Sequence, residues 1–195
     1  MHIKELLIER VVNAFDNSKK QQYADQVWNI MQQSYKNIPG GFGTAASVEE
    51  LIDKSGLWKL IVRNGVVTAA NVYKDTAGRK SVASGTNGTP QGKKDWVLIK
   101  SEDVKLGRAW GEVSGSAERA MAKMNAKPLS NKFAAALTGK EIIEFNPDGL
   151  HYTRLIAGEP HEKIIYGTVN LTPELSKSLA AQGIELHTLP DNFQK

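Results

Sequence analysis

Residues 80–124 read KSVASGTNGTPQG (80–92), KKDWVLIKSEDVKLG (93–107), RAWGEVSG (108–115) and SAERAMAKM (116–124). Their order is strand, glycine-threonine loop, helix, strand, helix. Gly85, Gly88 and Gly92 lie between the first strand and a helix N-terminus. Such a loop is expected to leave backbone N–H groups free to meet an anion. Thr89-Pro90 supplies an N-cap and a first helical position, so the helix holding Trp96 and Ile99 starts there. The second strand runs straight into the next helix through residues 112–120, EVSGSAERA.

Upstream, residues 3–15 (IKELLIERVVNAF) place Ile3, Leu7, Val11 and Phe15 four apart, a helical stripe, although ELLIERVV equally suits a strand. Tyr23, Val27, Ile30, Met31 and Tyr35 predict an amphipathic helix over 21–35, ending near Pro39-Gly40-Gly41. Trp28 lies beside that stripe and could face a partner. Ser47 and Glu50 have capping-box spacing, which predicts a short helix burying Leu51 and Ile52. Asn64-Gly65 separates LWKLIVR from VVTAANVY, a hairpin with a type I′ turn. A turn over Asp75-Thr76-Ala77-Gly78 then completes a three-stranded antiparallel meander with RKSVAS.

Downstream, a short helix holding Phe133, Ala134 and Leu137 is expected to close at Gly139. EIIEF, HYTRLIA and HEKIIYGTV read as closing strands joined by turns at Asn146-Pro147-Asp148-Gly149 and Gly158-Glu159-Pro160. Thr172-Pro173 caps a last helix ending at Gly183. Its residues Leu175 and Leu179 stand four apart, so one face needs a buried surface.

Composition narrows the function classes. The chain has 195 residues, 41% hydrophobic and 24% charged, which suits one globular domain with a terminal appendage. No run approaches the roughly 18 apolar residues of a membrane span. The first ten residues, MHIKELLIER, carry acids where a secretion signal is apolar, so a cytoplasmic location is expected. Zero cysteines exclude disulfides, thiolate metal sites and cysteine nucleophiles. Residues 74–108 hold eight basic residues (Lys74, Arg79, Lys80, Lys93, Lys94, Lys100, Lys105, Arg108) against four acids (Asp75, Asp95, Glu102, Asp103), which equals the net +4 of the whole chain. A phosphate-rich ligand or a solvated basic face both fit that window. Nucleic acid is not favoured, because no aromatic-basic interleaving accompanies the charge. His151 and His161 stand apart without carboxylate or cysteine spacing, so no metal site is predicted.

The element order resembles the GNAT superfamily of N-acetyltransferases over residues 21–168. Residues 112–120, EVSGSAERA, look like that family's strand-to-helix segment, usually E-V-x-x-x-N-x-x-A. Residues 85–94 sit where the family places its pyrophosphate loop, usually Q/R-x-x-G-x-G/A. The chain also resembles short acetyltransferase-like proteins of tailed phages, in which Gly-Gly-Phe, Leu-Trp-Lys-Leu, Ala-Trp-Gly-Glu-Val-Ser-Gly and His-Tyr-Thr-Arg recur. The resemblance implies an α/β (α+β) fold, a mainly antiparallel mixed sheet flanked by helices. It also implies one domain over residues 1–170, with a C-terminal helix and tail over 171–195. The implied activity is acyl transfer from acetyl-CoA to an amine acceptor.

Under that reading Gly85, Thr86, Asn87, Gly88, Thr89, Gln91, Gly92 and Lys93 hold the CoA pyrophosphate. Glu112, a strand carboxylate, is the candidate base if burial raises its pKa. It could instead lie on a solvent face or pair with Arg108 or Arg154. Ser114 could orient the pantetheine arm or an acceptor, and Ser114 and Ser116 could equally be helix caps. Three departures from the pattern stand out. Ala117 replaces the family's asparagine, Lys94 stands where a second loop glycine falls, and Met124 aligns with the tyrosine that protonates the departing thiolate. Met124 and Lys94 favour a rival of another class, a non-catalytic module that binds a protein partner, a virion or host component included. Self-association is compatible with either reading.

Overall fold

Residues 9–14 of the ambiguous N-terminal stretch form a strand. The computed structural model describes residues 9–75, 79–107, 109–138, 141–167, 173–181 and 183. In it β1 (Glu9–Ala14) pairs antiparallel with β2 (Trp58–Arg63), with Val12 opposite Leu60 and Ala14 opposite Trp58. Val12 and Ala14 are buried and Val11 is exposed, the alternation of a half-covered strand rather than a helix stripe. Helix α1 (Asn17–Tyr35) starts four residues earlier than its apolar stripe, because the Asp16 side chain caps the Lys19 amide. The short helix α2 (Val48–Lys54) is capped as its sequence predicts, Ser47 Oγ accepting from the Glu50 amide at 3.2 Å. Buried Lys20 reaches the C-terminal end of α2, its Nζ donating to the carbonyls of Ile52 (3.1 Å) and Ser55 (2.8 Å).

The hairpin forms at Asn64-Gly65, whose φ angles of 50° and 78° lie in the left-handed region a type I′ turn needs. It joins β2 to β3 (Val66–Lys74). Strand β4 (Lys80–Thr86) follows, then α3 (Pro90–Leu106), β5 (Trp110–Val113) and α4 (Gly115–Lys123), in the order the sequence predicts. Next comes β6 (Pro128–Leu129), a two-residue strand with no sequence signal of its own. A 3₁₀ turn, Asn131–Phe133, leads into α5 (Ala134–Thr138). The closing strands are β7 (Ile142–Phe145), β8 (Tyr152–Ile156) and β9 (Glu159–Gly167), and α6 (Pro173–Ala181) comes last. The expected turn at residues 75–78, the stop at Gly139, the cap at Thr172 and residues 184–195 fall wholly or partly outside the described residues.

The fold is α/β (α+β), with nine strands among the described residues in mostly antiparallel ladders flanked by helices. The chain divides into two compact units, Met1–Tyr73 with Ala83–Ile99, and Lys74–Val82 with Lys100–Lys195. In the first the strand order is β1-β2-β3-β4. Its α1 buries Tyr23, Val27, Ile30 and Met31. Trp28 packs edge-on against Phe42, with ring centroids 5.6 Å apart, and Tyr35 meets the same ring at 5.4 Å. In the second unit the order is β4-β5-β9-β8-β7, with β6 also pairing β9. One apolar cluster there joins Trp110, Tyr152, Ile165, Phe133, Leu137 and Leu179, the last from α6 and fully buried. Another joins Met121, Ile164 and Tyr166, with Met124 packed against it.

Candidate functional site

The glycine loop belongs to the first unit. Each of its glycines has a local steric cause. A Cβ at Gly85 would lie 2.2 Å from Ser34 Oγ, so β4 passes α1 too closely for a side chain. A Cβ at Gly92 would lie 2.3 Å from Asn87 Oδ1 and 2.7 Å from the Thr68 carbonyl oxygen. Gly88 has open space around it but a φ of 82°, which favours glycine.

Five of the loop amides already have acceptors, in contrast to the sequence expectation of free ones. Thr86 N–H donates to Ser34 Oγ (3.3 Å), and Asn87 N–H to the Thr68 carbonyl (2.9 Å). Gly88 N–H donates to Thr86 Oγ1 (3.0 Å), Thr89 N–H to Asn87 Oδ1 (3.2 Å) and Gly92 N–H to Thr89 Oγ1 (3.0 Å). Thr86, Asn87 and Thr89 therefore order the turn and cap α3. Asn87, Gly88, Thr89, Gln91 and Lys93 are exposed, as is Lys94. An anion arriving here meets solvated lysines beside a helix N-terminus where the Gly92 amide already donates to Thr89 Oγ1 and the Lys93 amide to the Thr89 carbonyl.

One turn into α3 stands a residue that the sequence reading passed over. Asp95 is fully buried and accepts from Arg63 twice (2.8 and 2.7 Å), from Thr68 Oγ1 (2.6 Å) and from Gln91 Nε2 (2.9 Å). Burial alone would raise its pKa. The Arg63 guanidinium and the two neutral donors outweigh burial and hold it at about 2. Gln91 is thus engaged with Asp95.

Glu112 belongs to the second unit and is enclosed by charge. Its carboxylate accepts from Lys80 Nζ (2.9 Å), Arg154 Nη1 (2.7 Å) and Tyr152 Oη (2.9 Å), with only 10% of the side chain exposed. Burial pushes its pKa up, yet Lys80 and Arg154 over-compensate and the net shift is downward. The Tyr152 hydroxyl is pushed well above its ordinary value by burial and by the Glu112 charge. A carboxylate held ionised by two cations is a weak proton acceptor. The Arg154 pairing expected as one alternative is present, and Lys80 joins it. Arg108 lies outside the described residues.

Ser114 takes the extended conformation of an N-cap to α4, but its hydroxyl makes no cap hydrogen bond; it accepts from Lys163 Nζ at 3.3 Å. Met124 ends α4, and its sulfur accepts from Ser101 Oγ at 3.2 Å. His151 and Tyr152 diverge as adjacent positions near a strand should. Tyr152 meets Glu112, whereas His151 lies between Asp148 Oδ2, at Nδ1, and Glu118 Oε1, 3.0 Å from Nε2. The Asp148 hydrogen bond leads in raising the His151 pKa, burial opposes it and Glu118 adds to the rise.

The signal that could have found the Glu112 cluster is the alternation Tyr152-x-Arg154 and His161-x-Lys163, which puts two pairs of polar side chains on single strand faces. Among the described residues no group of three or more His, Asp or Glu could hold a metal ion. No described helix is long and apolar enough to cross a membrane.

No family model matches the chain, and no curated protein matches it. Solved structures similar to it are acetyltransferases. The ribosomal-protein-S18-alanine N-acetyltransferase of Escherichia coli shares 14% identity at a TM-score of 0.47, over 82% of this chain and 92% of that one. An acetyltransferase of the GNAT family from Desulfovibrio desulfuricans shares 11% at 0.46, over 83% and 99%. The IAA acetyltransferase of Bacillus cereus shares 10% at 0.41, over 80% and 97%. Likeness this distant carries no inference about site or activity.

Proposed function

We propose that the chain binds acetyl-CoA at residues 85–93 and acts as an N-acyltransferase on an amine acceptor. The observation that carries this reading is the strand–glycine loop–helix element. Its turn is exposed at the start of the 17-residue helix α3, with Lys93 and Lys94 solvated beside it. Chemistry at such a site comes mainly from placing a thioester against an amine. Glu112 and Ser114, the other candidate residues, belong to the second unit, where Glu112 is a fixed negative charge that orients Tyr152 and Arg154 and Ser114 accepts from Lys163.

A specific observation favours a second reading, a non-catalytic acetyltransferase-like module. The candidate base Glu112 is committed to Lys80 and Arg154, and Met124, where the resemblance puts a tyrosine acid, offers only a thioether that accepts from Ser101.

Calorimetric titration with CoA and with acetyl-CoA tests both readings. Saturable heat, weakened about three- to tenfold by Lys93→Ala, supports the loop as the anion site. Release of free thiol in the presence of an amine panel then supports transfer, and binding without release selects the module. Absence of heat with millimolar CoA removes the acyl-CoA reading. Gly92→Val is a poor probe, because its side chain would strike the Thr68 backbone carbonyl.

A further inference from the structure

The Glu112 face of the second unit carries more positive charge than its carboxylates balance. The register sets His161 opposite Arg154 and Lys163 opposite Tyr152. Side chains two apart on a strand share a face, so these four project to one side, the side on which Tyr152 and Arg154 meet Glu112. Glu112 answers Lys80 and Arg154, and Glu141, at the exposed rim, takes the other arm of Arg154 at 2.8 Å. Lys163 has Ser114 Oγ at 3.3 Å as its hydrogen-bond acceptor, and among the described residues no carboxylate pairs with it. Burial lowers the pKa of its ammonium, Glu112 opposes the drop, and Arg154 adds to it. Arg154 Nε and His161 Nε2 are both closed off from solvent without a hydrogen-bond partner. Unanswered buried polar groups in one small area are uncommon in native folds. A water would satisfy a donor and leave the charge, whereas an oxyanion would supply acceptors and charge together.

We infer that this face is a binding site for a small oxyanion, a carboxylate or phosphoryl group, held by Lys163 and His161 beside Arg154. The site uses none of residues 85–93 and stands without the acyl-CoA reading.

Calorimetry on the intact protein with inorganic phosphate and, separately, with succinate tests it. Saturable binding of at least one anion is expected in the millimolar range, with movement of the His161 ring signals in proton–carbon NMR spectra. Lys163→Met should weaken binding about tenfold and Lys163→Arg should recover most of it. With that profile, binding of phosphate alone assigns a phosphoryl ligand, and binding of succinate alone assigns a carboxylate. The inference fails if neither anion saturates, or if Lys163→Met leaves binding unchanged. It fails equally if Lys93→Ala abolishes binding that Lys163→Met retains, since the anion then sits at the loop. Should Lys163→Met not fold, His161 signals in the wild type that stay fixed at saturating anion would overturn the site.

Discussion

At Glu112 burial and charge act in opposite directions, and charge wins. Taking a carboxylate out of water favours its neutral form, but Lys80 and Arg154 within 3 Å favour the ionised one more. Glu112→Gln takes the carboxylate from Lys80 and leaves Arg154 with only Glu141 at the rim, so it should cost about 3–5 kcal/mol in urea unfolding at neutral pH. A loss below about 1 kcal/mol would mean that solvent screens the cluster. Because the folded pKa is depressed, this stabilisation is present above the ordinary carboxylate range and fades as pH falls through the folded value. The Gln variant should lack that acid dependence. His151 works with the opposite sign. Asp148 and Glu118 flank its two ring nitrogens, and the Glu118 charge adds to burial in raising the Tyr166 pKa. Only the imidazolium donates to both carboxylates. Its raised folded pKa makes the stabilisation complete below about pH 6.5 and lost as pH rises through the folded value. Thermal midpoints measured across that range should fall on the alkaline side in the wild type and stay flat in His151→Gln.

Helix α3 is held at the scale of an element by one buried carboxylate. Asp95 gathers Arg63 from β2, Thr68 from β3 and Gln91 from its own first turn. Asp95→Ala removes the buried carboxylate that Arg63, Thr68 and Gln91 share, and should cost about 3–5 kcal/mol. Thr68→Val, which removes one neutral donor, should cost about 1–2 kcal/mol. If the two variants are equally mild, α3 is held mainly by Ile99 and Trp96 in their apolar cluster. The contact of α1 with β4 rests on a missing side chain. Gly85→Ala would bring a methyl to within 2.2 Å of Ser34 Oγ and 2.9 Å of Ser34 Cβ. It should cost about 1–3 kcal/mol, and Ser34→Gly in the same chain should relieve most of it. A Gly85→Ala penalty that Ser34→Gly leaves untouched would refute the steric account.

For the whole molecule the C-terminal helix matters because Leu179 is fully buried with Phe133, Ala134 and Leu137. Leu179→Ala should lower the unfolding free energy by about 2–5 kcal/mol, and removal of residues 171–195 by more, read from urea midpoints. A truncated chain as stable as the full one would mean that α6 adds nothing to that core. Much of the chain's organisation is written in short spacings. Asn64-Gly65 determines its hairpin, Ser47 and Glu50 determine the start of α2, and residues 80–124 spell strand, loop, helix, strand, helix. These signals act over a turn or two of backbone, so neighbouring residues are enough to read them. The glycines of the loop were legible as special, but their reasons were not: Gly85 answers to α1 and Gly92 to β3, which only the packed chain brings near. Residues 3–15 fit two periods, and pairing with β2 selected the strand over residues 9–14. β6 exists because Pro128 and Leu129 meet β9. Glu112 is joined to Lys80 and Arg154 across 32 and 42 residues of chain. Which charges surround a carboxylate depends on strand register, and register follows from long-range pairing; the tertiary structure alone decided that Glu112 stays ionised in the company of two cations.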